Sequence, residues 1–405
     1  MTHDPQVATL PRVLFVNHTA TTSGAEMALL DLLGALPPEL PRWIVCPSGE
    51  LARAMDEAGE TVILFQGTSA SLRTTPSALA RAVAELTISV WGLRRSLSDV
   101  RPDIVHANTI RSGIIACVAT WPTGPPVIVH IHDALPNTRL SRAARRLLAR
   151  RAAALVGVSE YTRARFAGGL GACLPPFSVL FNPVETSRFT QSELTRRTAR
   201  EQLGLDVADE LLLMVGQISP WKGHETAIRT LSLVKNRHPR ARLLVVGETR
   251  FVAAGTRLDN LAFFEALRQL VIDLGLDADV DFLGQRSDVA LLMRAADLLL
   301  LPSHGEPLGR AMLEAMAAGT PVLASDEGGP SEVIVQGKTG ALLPAGDPVP
   351  WADAVDRLLC DEQARTEIGR NAQEVVRDRF EAAGVANATV DLYRRTIATA
   401  SIARR

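Results

Sequence analysis

From end to end the chain repeats one pattern: a short apolar run, a loop rich in glycine or polar residues, then a stretch with helical spacing. Runs apolar on both faces suit strands covered by helices on both sides. Their alternation with helical patterns predicts a parallel α/β architecture. In the first half such runs fall at 12–17, 43–47, 61–65, 104–107, 127–132 and 154–158. In the second half they fall at 210–215, 242–247, 280–283, 298–302, 321–325 and 340–343. Helical patterns lie between them, among them 27–33, 139–151, 225–236 and 308–318, and the last segment, 361–405, reads as one or two helices.

A length of 405 residues suits two or three domains. The polar stretch 181–204, opened by Asn182-Pro183, is the best boundary. Residues 1–189 hold 18 Arg, no Lys and 14 acids, and residues 190–405 hold 25 basic and 30 acidic side chains. The expected layout is two Rossmann-like doubly wound domains facing a cleft, 1–185 and 186–378, with a helical tail over 379–405. Clefts between domains are common ligand sites.

A net charge of -1 argues against a nucleic-acid-coating protein. The basic residues are 40 Arg and three Lys, so a lysine inside a motif stands out. Cys46, Cys117, Cys173 and Cys360 match no metal spacing. The N-terminus shows no basic and apolar leader, and no run is long enough to span a bilayer. A reduced, cytoplasmic protein is the expectation.

Four constellations carry chemistry. The run Ser303-His-Gly-Glu-Pro-Leu-Gly-Arg-Ala-Met-Leu-Glu314 follows an apolar strand and opens a helix, whose N-terminal N–H groups favour an anion. Glu306 and Glu314 could accept hydrogen bonds from hydroxyls there, although either alone would read as a solvated carboxylate. Gly216-Gln217-Ile-Ser-Pro-Trp-Lys222-Gly223 also lies between strand and helix, and its Lys could meet a phosphate as a point charge. Thr21-Thr-Ser-Gly24-Ala-Glu26 opens the first helix. It matches neither the dinucleotide-binding GxGxxG nor the GxxxxGK[ST] loop. His130-Ile-His132-Asp133 ends a strand, with both histidines on one face. His132 lies nearer the ligand-binding end, His130 reads as a core histidine, and His106, also at a strand end, reads either way. A metal-binding histidine pair lacks a visible third ligand. Asp279-Val-Asp281 has an acid-x-acid spacing but begins a strand, which favours turn and edge roles. The helical tract 139–151 carries six Arg; it is a solvated face or a weak contact with an anionic membrane surface.

These residues resemble glycosyltransferase family 4, retaining enzymes of GT-B architecture, over nearly the whole chain. Glu306 to Glu314 with the following Ala-Met-Ala-x-Gly-x-Pro-Val is the most specific part. Lys222-Gly223, His132, Ser159, the 181–189 stretch and Gly284-Gln-Arg286 are also similar. The resemblance implies a nucleoside-diphosphate sugar, with UDP favoured over GDP, as donor substrate, and neither cofactor nor metal. It places the acceptor on the first domain, the donor on the second, and the C-terminal helix back across the first. Lys222 would pair with the diphosphate, Glu314 with the ribose and Glu306 with the donor sugar. Backbone N–H groups near Leu308 and Gly309 would face sugar and phosphate. His132 would lie beside the transferred sugar, Gly24 and Gly216 by the diphosphate, and Arg286 by the base. The family's frequent Arg is here Gln217. The acceptor would be a small natural-product or aminocyclitol precursor, with a polysaccharide or lipid-linked acceptor, or epimerase or phosphorylase chemistry, as alternatives.

Overall fold

The computed structural model describes residues 10–68, 76–133, 135, 138–171, 174–190, 195–249 and 259–403. The chain divides into two compact units, Met1–Pro183 with Ala383–Arg405, and Val184–Ala382. The first unit runs β1 (Val13–Val16), α1 (Gly24–Ala35), β2 (Arg42–Cys46), α2 (Glu50–Glu57), β3 (Val62–Leu64), α3 (Pro76–Val100), β4 (Ile104–Ala107), α4 (Ile110–Ala119), β5 (Val127–Ile131), α5 (Arg139–Arg151), β6 (Ala154–Gly157), α6 (Glu160–Ala167) and β7 (Phe177–Val179). The second runs α7 (Arg196–Leu203), β8 (Glu210–Val215), α8 (His224–Val234), β9 (Ala241–Val246), α9 (Asn260–Asp273), β10 (Val280–Gly284), α10 (Val289–Ala295), β11 (Leu298–Leu301), α11 (Arg310–Ala318), β12 (Val322–Ser325), β13 (Ala341–Leu343), α12 (Pro348–Cys360) and α13 (Glu362–Arg379). The last helix, α14 (Ala382–Ala403), belongs almost wholly to the first unit.

Both sheets are parallel, ordered β3-β2-β1-β4-β5-β6-β7 and β10-β9-β8-β11-β12-β13. The order reverses beside β1 in the first sheet and beside β8 in the second. Crevices for ligands open at such switch points, beyond the strands' C-terminal ends. The apolar runs read from the sequence become these strands with ends shifted by at most one residue. Leu14, Phe15, Leu212 and Leu300 are fully buried because helices cover both faces. Over the first sheet, α1, α2 and α14 pack one side through Leu29, Leu33, Met55 and Tyr393. On the other side α3, α4 and α5 pack through Leu93, Ile115 and Leu148. Burying each such side chain contributes about 1.5–3 kcal/mol.

Local chemistry sets the helix ends. Thr109, Thr138 and Ser159 cap α4, α5 and α6 by accepting the N–H of the residue three positions on. Ser159 is thus occupied as a cap. In the second unit Asp297 accepts from Arg200 (2.6 Å) and from the Leu211 N–H (2.7 Å), tying α7 to the start of β8. Asp279 pairs with Lys235 and Asp281 with Arg242, so the acid-x-acid spacing serves the strand edge. Cys46 and Cys117 are buried thiols, pushed up by burial to about 11 and about 12. Cys360 is exposed, and Cys173 lies outside the described residues. Among the described residues no helix is long and apolar enough to cross a membrane.

Candidate active site

The second unit gathers its loops at the C-terminal edge of its sheet. After β8 the chain is pinned by Gly216 N–H to Val246 O (2.9 Å) and Ile218 N–H to Glu248 O (3.0 Å). Gln217 is held half-buried between these pins. A short 3-10 turn, Pro220–Lys222, then delivers Lys222 and ends at Gly223, in the left-handed region at φ +76°. A Cβ on Gly223 would stand 2.0 Å from the carbonyl oxygen of Pro302, at the exit of β11. That close approach, with His304 N–H donating to Trp221 O (2.7 Å), joins the loop after β8 to the loop after β11.

Across the join, Lys222 Nζ donates to Glu306 Oε2 at 2.8 Å, and the ammonium lies 4.2 Å from the Trp221 ring centroid. Both side chains are largely buried, 15% and 7% exposed. Glu306 is fixed from below, since Gly329 N–H donates to its carbonyl (2.8 Å). A Cβ at Gly329 would meet Pro307 O at 2.3 Å, so only glycine allows this stacking of backbones. An ammonium has three donors, and one is committed to Glu306. Lys222 can therefore hold a phosphate oxygen and the carboxylate together.

The helix α11 starts at Gly309, at φ +94° and without a side-chain cap. Its first turn presents N–H groups and the positive end of the dipole. Leu308 is buried (1% exposed), so only its backbone can face a ligand. One turn on, Glu314 Oε1 receives Arg310 Nε at 2.6 Å, both side chains being mostly buried. Sequence reading named Glu314 and missed Arg310 as its partner, although the i, i+4 spacing was present. Arg286 lies after β10 in a two-bond fork with Asp288 (2.8 and 2.6 Å). The structure therefore brings Lys222, Glu306 and the start of α11 together. It engages Glu314 with Arg310 and Arg286 with Asp288.

In the first unit Gly24 is the first residue of α1, exposed, and a Cβ there would meet nothing within 4 Å. Beside it Ser23 and Glu26 form a capping box, and Asn17 Nδ2 donates to Glu26 Oε1 (3.1 Å). That Ser-x-x-Glu signature was legible as a helix start. His132 follows β5, buried, 4.2 Å ring to ring from His130, which lies 5.5 Å from His106. His130 and His132 share a face as their alternation predicts. His106 Nδ1 meets the Tyr393 hydroxyl of α14 at 2.6 Å, which places His106 in the core. Burial first, then the His130 and His106 rings, hold His132 well below the ordinary histidine range, against a smaller upward pull from Asn182. His130 is lowered to about 4, chiefly by burial. Both imidazoles are neutral at pH 7. His18, after β1, was not singled out from sequence; burial and the nearby Arg111 lower it to about 3.

The family model described as Glycosyl transferases group 1 matches residues 195–375, and that described as Glycosyl transferase 4-like domain matches 23–183. The D-inositol 3-phosphate glycosyltransferase of Corynebacterium efficiens is 33% identical over 201 residues, 49% of this chain and 46% of that protein. The chain spans about half the length of the corynebacterial relatives it matches. The like-named protein of Pseudarthrobacter chlorophenolicus is 28% identical over 361 residues, 80% of this chain and 83% of that protein. Among solved structures, Anabaena Alr3699/HepE in complex with UDP aligns at a TM-score of 0.79 and 25% identity, covering 95% of this chain and 100% of that chain. The two family models follow one another along the chain as the two parallel sheets do, and on this ground the chain, a GT-B fold, belongs to glycosyltransferase family 4.

Proposed function

We propose that the chain transfers a sugar, a hexose or N-acetylhexosamine, from a nucleoside-diphosphate sugar to a hydroxyl acceptor with retention. The observation that carries this reading is the Lys222–Glu306 pair, held at 2.8 Å beside the uncapped start of α11 at the second sheet's switch point. The pair offers a cation for a diphosphate and an acceptor for sugar hydroxyls in one place. UDP is the proposed nucleotide, supported by the UDP complex of Alr3699/HepE. A small polyol of cyclitol type is the proposed acceptor, such as an aminocyclitol precursor, supported by the names of the sequence relatives.

In this reading Lys222 and the α11 N–H groups stabilise the charge that grows on the diphosphate as the anomeric C–O bond breaks. The acceptor oxygen bonds to the anomeric carbon from the same face, and its proton passes to the departing phosphate oxygen. Glu306 orients the sugar and Glu314 the ribose, with Arg310 holding the Glu314 carboxylate in place. Gln217 leaves the diphosphate one cation short of the family pattern, so Lys222 and the α11 N–H groups carry more of the charge stabilisation in this reading. Arg286 is proposed to border the base. His132 serves as a neutral hydrogen-bonding group toward sugar hydroxyls, because its lowered pKa keeps it uncharged. Lys222 and the α11 N–H groups supply the charge stabilisation a metal would otherwise provide.

The test is a product assay with UDP-glucose, UDP-N-acetylglucosamine and GDP-mannose, each with inositol phosphates and aminocyclitols, in EDTA. UDP release with a glycosylated product, undiminished by EDTA, is expected, and UDP alone should raise the melting temperature. No nucleotide release from any donor, with no thermal shift by UDP, would remove the reading. A second expectation concerns Gly24. Its replacement by alanine leaves thermal stability unchanged, because the Cβ meets open space. It lowers kcat/KM for the donor by about tenfold or more, as a ligand held a fraction of an ångström off would. An unchanged kcat/KM would free Gly24 of any diphosphate contact.

A further inference from the structure

The layer of α3, α4 and α5 covers one face of the first unit's sheet, and its outer surface is unusual in two respects. A helix lying on a sheet turns its polar side to water. On α3, however, the outward positions Val83, Ala84, Thr87, Ile88 and Trp91 carry no charge, and they repeat at helical spacing. Val83 is 56%, Ile88 45% and Trp91 69% exposed. Glu85, the one acid within this stretch, is half-buried and interacts with Arg111 of α4. Beyond α4, Trp121 is 57% exposed, with the Arg151 guanidinium 4.7 Å from its ring centroid.

The same layer is strongly basic. The three helices together hold ten arginines and two acids, Glu85 and Asp99, in a chain whose net charge is -1. Arg145 is buried and binds the carbonyls that end α6, so it belongs to the fold. Arg81, Arg95, Arg142, Arg146 and Arg150 are exposed. The sequence tract 139–151 is therefore one edge of a larger surface, whose apolar part comes from a different helix.

We infer that this face docks on an anionic lipid bilayer. The apolar stripe and the two tryptophans enter the boundary between headgroups and acyl chains, where an indole has both an apolar and a polar neighbour. The arginines pair with lipid phosphates on either side. Charge complementarity selects this occupant. A second copy would set two basic layers against each other. A nucleic acid would meet the arginines but would leave the aliphatic Val83 and Ile88 with nothing to stack on. Docking concerns where the protein resides and stands independently of the donor and acceptor proposed above.

The experiment is co-sedimentation of the full chain with vesicles of phosphatidylcholine alone or mixed with phosphatidylglycerol. Binding to the anionic vesicles, weakened by salt, and little binding to the neutral ones is expected. The double substitution Ile88→Glu and Trp91→Glu should lower the partition coefficient about tenfold or more, with melting temperature and thermal shift by UDP unchanged. Arg142→Ala with Arg146→Ala and Arg150→Ala should lower it by a similar factor, most at low salt. The inference is overturned if the parent fails to bind anionic vesicles or binds neutral ones equally. It is also overturned if the double variant binds like the parent, or if the parent binds random duplex DNA in preference to anionic vesicles.

Discussion

Lys222→Ala lowers kcat/KM for the donor by about a thousandfold, the scale of losing one preorganised charge at a site of developing negative charge. The same change exposes the cost of the pairing. Glu306 is 7% exposed and would lose its counter-charge at 2.8 Å. Breaking such a pair from one side destabilises by about 2–4 kcal/mol, toward the lower end because Lys222 is 15% exposed. Thermal unfolding and turnover together separate the two effects. Glu306→Gln added to Lys222→Ala removes the orphaned charge and should restore most of the stability, while the rate stays low. Lys222→Arg should recover little, since a planar fork cannot take the place of a compact ammonium wedged against Trp221. A folded Lys222→Ala protein that turns over near the parent rate would take the diphosphate role away from this residue.

The strands were legible because their apolar runs are uninterrupted, and burial on both faces demands that of a parallel sheet. β7 escaped notice for the converse reason: Phe177–Val179 is three residues long, at the sheet's edge and half-buried throughout, so it shows no apolar run. α3 was obscured by its outward stripe, since a helix with apolar residues on two sides loses the one-sided periodicity that marks it. Within the site, residue types at strand ends were readable, and Lys222 stood out among 40 arginines and three lysines. Partnerships were not. Lys222 and Glu306 are 84 positions apart, and only the meeting of the loops after β8 and β11 makes them neighbours. His106 reaches Tyr393 across 287 positions because α14 returns to the first sheet. Periodicity and spacing carry local geometry, while such pairings depend on strand order.

Gly223→Ala should be among the most damaging single methyl groups that can be added to the site. The residue sits at φ +76°, where a Cβ costs about 1 kcal/mol on its own. That cost is shared by Gly275, at φ +66° with nothing within 4 Å, so Gly275→Ala measures it separately. At Gly223 the new Cβ would also stand 2.0 Å from the Pro302 carbonyl oxygen, 2.7 Å from its carbonyl carbon and 3.1 Å from its Cβ. No flexible side chain can yield there. One backbone must move, and the two involved carry Lys222 and Glu306. Stability should fall by about 2–4 kcal/mol, well beyond the Gly275→Ala control. The folded fraction should also lose most of its transfer activity, because a shift of about 1 Å between cation and diphosphate is enough to cost a hundredfold. Differential scanning calorimetry of both variants, with turnover measured below the lower melting temperature, tests this directly. If Gly223→Ala melts with Gly275→Ala and keeps its activity, the join between the two loops is not what aligns Lys222 with Glu306.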